Sequence, residues 1–147
     1  MSKADDLSTS ILNRYLSLLR HQHRHGHRLR KEFGISGRQL AVLRHLLRVG
    51  TCTVGEMSRL LYNSDATTSK LLERMERDGY IRRRRCEEDN RKVLVDPTEA
   101  GREIAARAPM TSIWRMRVGL PELPIEELEK IDSAMARLSE LAGADQE

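Results

Sequence analysis

Arg82–Arg85 form an unbroken run of four arginines within "YIRRRRC", a stretch whose residue types suit a β-strand. Successive side chains of a strand point to opposite faces, so such a run places cations on both sides of any sheet. A hydrophobic core hides few guanidinium groups, because a buried charge needs a partner. At least two of the four must project outward. A second β-compatible run, "RKVLVD" (91–96), follows across the polar "EEDN" (87–90), and the segment from about 80 to 96 reads as a basic hairpin.

On either side of this hairpin the apolar residues recur at helical spacing. Residues 5–33 read as one long helix, with Leu7, Ile11, Tyr15 and Leu18 on a stripe joined by Leu12, Leu16 and Leu19. Ser36 with Gln39 has capping-box spacing, and Ile35 with Leu40 is placed as a hydrophobic staple. A second helix therefore begins near 37 and carries Leu40, Leu43, Leu46 and Leu47 to "VG" at 49–50. Thr53 with Glu56 opens a short third helix burying Val54, Met57, Leu60 and Leu61. "YNSD" (62–65) supplies turn and cap residues, and a fourth helix runs from about 66 to "DG" at 78–79. After the hairpin, either Asp96 (with Pro97 in the first turn) or Thr98 caps a fifth helix. Pro109 should kink or interrupt it. "GLPELP" (119–124) reads as a loop, and a last helix follows from Pro124 with Leu128, Ile131, Met135, Leu138 and Leu141 on one stripe. The expected order is four helices, a hairpin and two helices.

The chain has 147 residues, 33% charged and 39% hydrophobic, with one Phe, one Trp and three Tyr. That length suits one compact domain or a small domain with oligomerisation helices. The modest apolar supply suggests a core shared with another subunit. Apolar runs fall short of the ~18 residues of a membrane span, and the N-terminus does not resemble a signal peptide, so no membrane partner is expected. Cys52 and Cys86 are too few for a disulfide framework and share no CxxC spacing, which points to a reducing cytoplasm.

Two short helices joined by a tight turn and followed by an arginine-rich hairpin describe a winged helix-turn-helix. Around the fourth helix, Leu71, Leu72 and Met75 share the inward face, Thr67, Lys70, Arg74 and Arg77 one flank, and Glu73 and Glu76 the other, which must face away from phosphate. A helix entering the major groove needs small polar and basic groups near its N-terminus, within reach of base edges. Ser64, Thr67, Thr68 and Lys70 meet that need. Arg84, Arg85, Arg91 and Lys92 on the hairpin suit phosphate and minor-groove contacts. Net charge is +4, which permits a nucleic-acid partner without requiring one.

From Ile35 to Gly101 the chain resembles the MarR family of transcriptional regulators. The resemblance rests on "QLAVLRHLLRVG" (39–50), "TVGEMSRLL" (53–61), "TTSKLLERMERDGYIRR" (67–83), "EDNRKVLV" (88–95) and "TEAG" (98–101). It implies a mainly α fold with a small β-hairpin wing, in which a winged helix-turn-helix DNA-binding domain is joined to a helical dimerisation domain. Residues 1–35 would be the N-terminal dimerisation helix, 36–97 the DNA-binding domain, and 98–147 the C-terminal helices completing the dimerisation domain. The partners implied are double-stranded DNA with a pseudo-palindromic operator, a second copy of the chain, and a small-molecule effector. Thr67, Thr68, Ser69 and Lys70 would open the recognition helix, and Arg83 would stand at the base of the wing. Asp89 would hold Arg91 toward the minor groove. Pro97 departs from the family, which usually has an apolar residue there.

No cofactor is expected, and no Ser-His-Asp set, phosphate loop or HExxH pattern suggests an enzyme. Cys86 beside the arginines raises a redox-responsive alternative, although the near-N-terminal cysteine of the family's peroxide-sensing branch is missing. A non-specific architectural DNA-binding protein is another alternative, since a basic wing alone gives salt-sensitive affinity. "HQHRHGH" (21–27) holds four of the five histidines in the first helix. His21/His25 and His23/His27 are i,i+4 pairs that point roughly 200° apart, so they cannot form one four-ligand site. The bland reading is solvated histidines or hydrogen bonds to neighbouring helices, and no metal site is assigned. Were one present, His21 and His25 would be candidates. The apolar stripe lapses at Gln22 and Gly26, with His23 and His25 at the margins, so these four residues are candidates for the wall of an effector pocket.

Overall fold

The structure is a computed structural model that describes residues 2–144. Helix α1 (Lys3–Phe33) leads to α2 (Gly37–Val49), the short strand β1 (Cys52–Thr53), α3 (Val54–Leu61) and α4 (Asp65–Arg77). Strands β2 (Ile81–Arg85) and β3 (Val93–Pro97) form the hairpin. Helices α5 (Glu99–Arg107) and α6 (Ser112–Gly119), a 3-10 turn (Leu120–Glu122) and α7 (Ile125–Ala142) complete the chain.

The helices start where side chains can satisfy their orphan N–H groups. Ser36 accepts from the Gln39 N–H while Gln39 Oε1 accepts from the Ser36 N–H at 2.8 Å. Thr53 and Glu56 make the same reciprocal pair at α3, and each such cap stabilises its helix by about 1 kcal/mol. Ser2 and Asp5 form a third box, so α1 begins two residues before the expected start at 5. Of the two caps open for α5, Thr98 is used: its hydroxyl accepts from the Gly101 N–H, and Pro97 ends β3 instead of entering the helix. Pro109 interrupts the expected fifth helix outright. α5 stops at Arg107 and α6 starts afresh at Ser112, one helix more than the sequence order.

The sheet has the order β1–β3–β2, all antiparallel. Ile81 pairs with Pro97 and Arg85 with Val93, while Cys52 pairs with Val95. The third strand, β1, was not expected, since two residues are too few to show an alternating pattern.

Two compact units result, one running to Thr111 and one from Ser112. In the first, Leu40, Val42, Leu43, Met57, Leu72, Met75 and Val95 are fully buried and share one core with Leu29 and Ile35. Burying each such leucine or methionine is worth about 1.5–3 kcal/mol. Ala105 and Ala108 join that core, so α5, grouped by sequence with the C-terminal helices, packs with the winged-helix elements. Gly101 permits this approach, because a Cβ there would collide with the Tyr80 carbonyl oxygen and lie 2.9 Å from Leu43 Cδ2. Leu47, expected inside, lies in the last turn of α2 beyond the final core contact at Leu46 and is exposed. Arg44 is buried instead, its Nη2 donating to the carbonyls of Ala108 (2.8 Å) and Pro109 (3.1 Å) just past α5. Burial without an acidic partner lowers its pKa.

In the second unit Trp114 is buried, while Ile131, Met135 and Leu141 of α7 are exposed. Among the described residues, no helix is long and apolar enough to cross a membrane.

Candidate nucleic-acid interface

The turn between α3 and α4 depends on one left-handed residue. Tyr62, at φ 54° and ψ 41°, ends α3, and the Asn63 N–H returns to the Ser58 carbonyl at 3.1 Å. This reversal brings Ser64 to the entrance of α4, where its Oγ accepts from the Thr67 N–H and donates to Thr67 Oγ1 at 3.0 Å. Ser64, Thr67, Lys70, Arg74 and Arg77 are exposed and Ser69 is half-buried. The outward face of α4 thus begins with hydroxyls and continues with cations.

Thr68 does not belong to that face. It is fully buried, on the i, i+4, i+7 stripe that carries Leu72 and Met75 inward. The expected base contact through its side chain is therefore corrected: Thr68 fixes how α4 sits on the core, and the exposed threonine is Thr67.

The hairpin separates its arginines by partner. The backbone N–H of Arg83 donates to Glu76 Oε2 at 2.7 Å and its Nη2 to Glu76 Oε1 at 3.3 Å. With its side chain 26% exposed, Arg83 ties β2 to α4 and reaches into solvent less than Arg84 (52%) or Arg91 (92%). Glu76, read only as an acid turned away from phosphate, is the other half of that strap. Arg84 Nε donates to Asp96 Oδ2 at 2.8 Å, and Arg82 stands opposite Asp96 on the ladder. The Thr51 hydroxyl also donates to Asp96. Partial burial raises the Asp96 pKa, but these hydrogen bonds and the nearby arginine charges outweigh it and hold the carboxyl below its ordinary value. Arg85 Nη1 donates to the Asn90 carbonyl at 2.8 Å across the turn.

At the wing tip, Asp89 Oδ1 accepts from both the Arg91 N–H (3.1 Å) and its Nε (3.3 Å). The Arg91 side chain is 92% exposed while that of Asp89 is 34% exposed, so the aspartate grips the base of a guanidinium that points into solvent. Lys92 is also exposed. Sequence reasoning missed three residues of this surface: Arg82 and Arg59, both exposed, and Tyr62, 88% exposed at the turn. The "YNSD" signal marked the turn but not that its aromatic ring faces water.

The four candidate pocket residues lie together on α1. Gln22 and His23 are exposed, His25 and Gly26 half-buried, and a Cβ on Gly26 would meet nothing within 4 Å. The rings of His21 and His25 are in contact, with centroids 4.2 Å apart. Cys86 is half-buried and reduced, whereas burial, with Glu56 and Asp96 nearby, pushes the Cys52 thiol up to about 11.

Residues 33–92 match the MarR family. The organic hydroperoxide resistance transcriptional regulator of Bacillus subtilis (strain 168) is 38% identical over 90 residues, 61% of this chain and 60% of that protein. The uncharacterized HTH-type transcriptional regulator YfiV of the same organism is 30% identical over 101 residues, 69% of this chain and 63% of that protein. The chain thus spans about 60% of the length of these curated relatives. Among solved structures, AbsC, a MarR family transcriptional regulator from Streptomyces coelicolor, superposes with a TM-score of 0.67 at 22% identity, covering 98% of this chain and 97% of that one. The S. aureus MepR–DNA complex gives 0.61 at 25% identity, covering 90% and 97%. The helix-turn-helix and the wing tip just described lie within the segment that matches this family.

Proposed function

We propose that the chain is a cytoplasmic, homodimeric transcriptional regulator, a repressor, that binds a pseudo-palindromic double-stranded operator and is modulated by a small-molecule effector. The observation that carries this is the exposure of two chemistries on elements tied together by a side-chain strap. Thr67 and Lys70 stand exposed at the start of α4, and Arg91 stands exposed on a wing strapped to that helix by Glu76 and Arg83. Hydroxyl and amine groups at a helix start suit base edges, and an extended guanidinium suits phosphate or a narrow minor groove. That MepR, a structural neighbour, is seen in complex with DNA supports the same partner here. In this reading residues 36–97 bind DNA. Residues 1–35 and 98–147 dimerise, drawing on the exposed stripe of Leu7, Ile11, Leu12, Tyr15 and Leu16. The effector pocket lies at Gln22, His23, His25 and Gly26.

The test is retention of genomic fragments followed by competition against bulk DNA. A specific regulator prefers its own site by at least ~10³ at physiological salt. Equal affinity for all duplexes would leave only the architectural reading. A redox-responsive variant of the same function draws support from the name of the B. subtilis hydroperoxide regulator. Its reactive group here would be Cys86, since Cys52 is buried with a raised pKa. Operator affinity that is unchanged by an organic hydroperoxide would remove it.

A further inference from the structure

The geometry points to a metal-binding pair on α1, His21 and His25, that takes a borderline divalent cation such as Ni²⁺ or Zn²⁺. The two residues stand one turn apart on one helix face, with ring centroids 4.2 Å apart and planes inclined by 43°. Imidazole nitrogen lies ~2.0–2.1 Å from such an ion, which puts two cis-bound ring centroids about 4.5–5 Å apart. The shared helix face keeps the two rings within reach of one ion, and chelation asks that they separate slightly and each turn a nitrogen toward it. His23 and His27 have the same spacing, but among the described residues it is the His21 and His25 rings that touch.

The surroundings select the class of ion. Residues 20–31 contain Arg20, Arg24, Arg28, Arg30 and Lys31 and no carboxylate. A hard cation that relies on oxygen donors and charge attraction, such as Mg²⁺, finds neither. An ion held by nitrogen coordination can bind despite the adverse field. The arginine one turn beyond His25 on that side, Arg28, is already paired with Glu32 at 3.0 Å, which offsets part of its charge. Among the described residues no group of three or more His, Cys, Asp or Glu is placed to hold a metal, so water completes the coordination and the ion exchanges readily. This site is independent of the DNA-binding reading and stands or falls without it.

Calorimetric titration of the full chain with Ni²⁺, Zn²⁺ and Mg²⁺ in a non-chelating buffer tests it, with helix content followed by circular dichroism. One tightest-bound Ni²⁺ or Zn²⁺ per chain is expected, and no heat from Mg²⁺. His21→Gln and His25→Gln should each weaken that ion by at least the ~10-fold that even an outer-shell change costs. The paired variant H23Q/H27Q should retain it, and all variants should keep wild-type helicity. Wild-type binding by H21Q/H25Q, loss of the ion in H23Q/H27Q, or displacement by Mg²⁺ would each overturn the assignment.

Discussion

The winged-helix body and the first two-thirds of α1 use their leucines in opposite ways. In the body, Leu40, Leu43 and Leu72 are fully buried, and the chain supplies its own partners for them. On α1, Leu7, Ile11, Leu12, Leu16 and Leu19 are each 45–60% exposed although they recur with the same helical period. Only near its end does α1 enter the core, through Leu29. Periodicity announces an apolar face but not who covers it. One face is completed within the chain, and the other stands open to solvent.

The largest effect should come from breaking the completed face. Leu72→Ala removes a side chain with no exposure and leaves a cavity among Leu43, Met75 and their neighbours. A loss of about 2–5 kcal/mol is expected, visible as a lower midpoint of thermal or urea unfolding. A smaller loss would mean that the body collapses around the gap and is less tightly packed than its burial implies.

The open face gives the complementary experiment. Leu12→Glu with Leu16→Glu places charge on α1 where the side chains are already exposed, so the variant should keep its helix content. If the proposed dimer forms through this face, sedimentation should change from dimer to monomer. A double variant that still sediments as a dimer would show that α1 is not the seam and that the exposed residues of α7 carry it alone.

Between these lies the strap from α4 to the wing. Glu76→Ala removes two hydrogen bonds to a half-buried partner, with an expected loss of about 1 kcal/mol after allowance for solvent. Operator affinity should fall further than stability does, because the wing loses its fixed angle to α4. Glu76→Gln keeps an acceptor for the Arg83 N–H and should recover part of the affinity. Equal affinity in all three proteins would mean that the sheet alone orients the wing.

The same contrast explains what could be read from residues alone. Capping boxes at Ser36 and Thr53 are local, so they locate helix starts to within a residue. The four arginines showed that the hairpin carries outward charge, because alternation is also local. What the chain hides is decided by tertiary neighbours. Thr68 looks like a base-reading residue until Leu72 and Met75 place it on the inward stripe. Arg44 breaks an apolar helix pattern because the carbonyls of Ala108 and Pro109, 64 and 65 residues away, need a donor. Arg83 and Glu76 are ordinary surface charges in the sequence and meet only when β2 folds back on α4.

The two cysteines extend the comparison to its smallest expected effect. Cys52 lies in the covered body, its thiol pushed up to about 11 by burial and by Glu56 and Asp96, while Cys86 is half-buried on the wing. In the folded protein a thiol reagent at mild pH should label Cys86 and spare Cys52, which reacts only after unfolding. Linkage gives a second reading of the same group. The unfolded thiol ionises near 9.0, so between there and about 11 the unfolded chain has lost a proton that the folded chain retains. Stability contributed by the buried neutral thiol is therefore complete below pH 9 and declines as pH rises through that window. Cys52→Ala should flatten this alkaline decline while leaving the acid side unchanged. An equally steep decline in the variant would assign it to other groups and show that Cys52 is less shielded than its neighbours in the core.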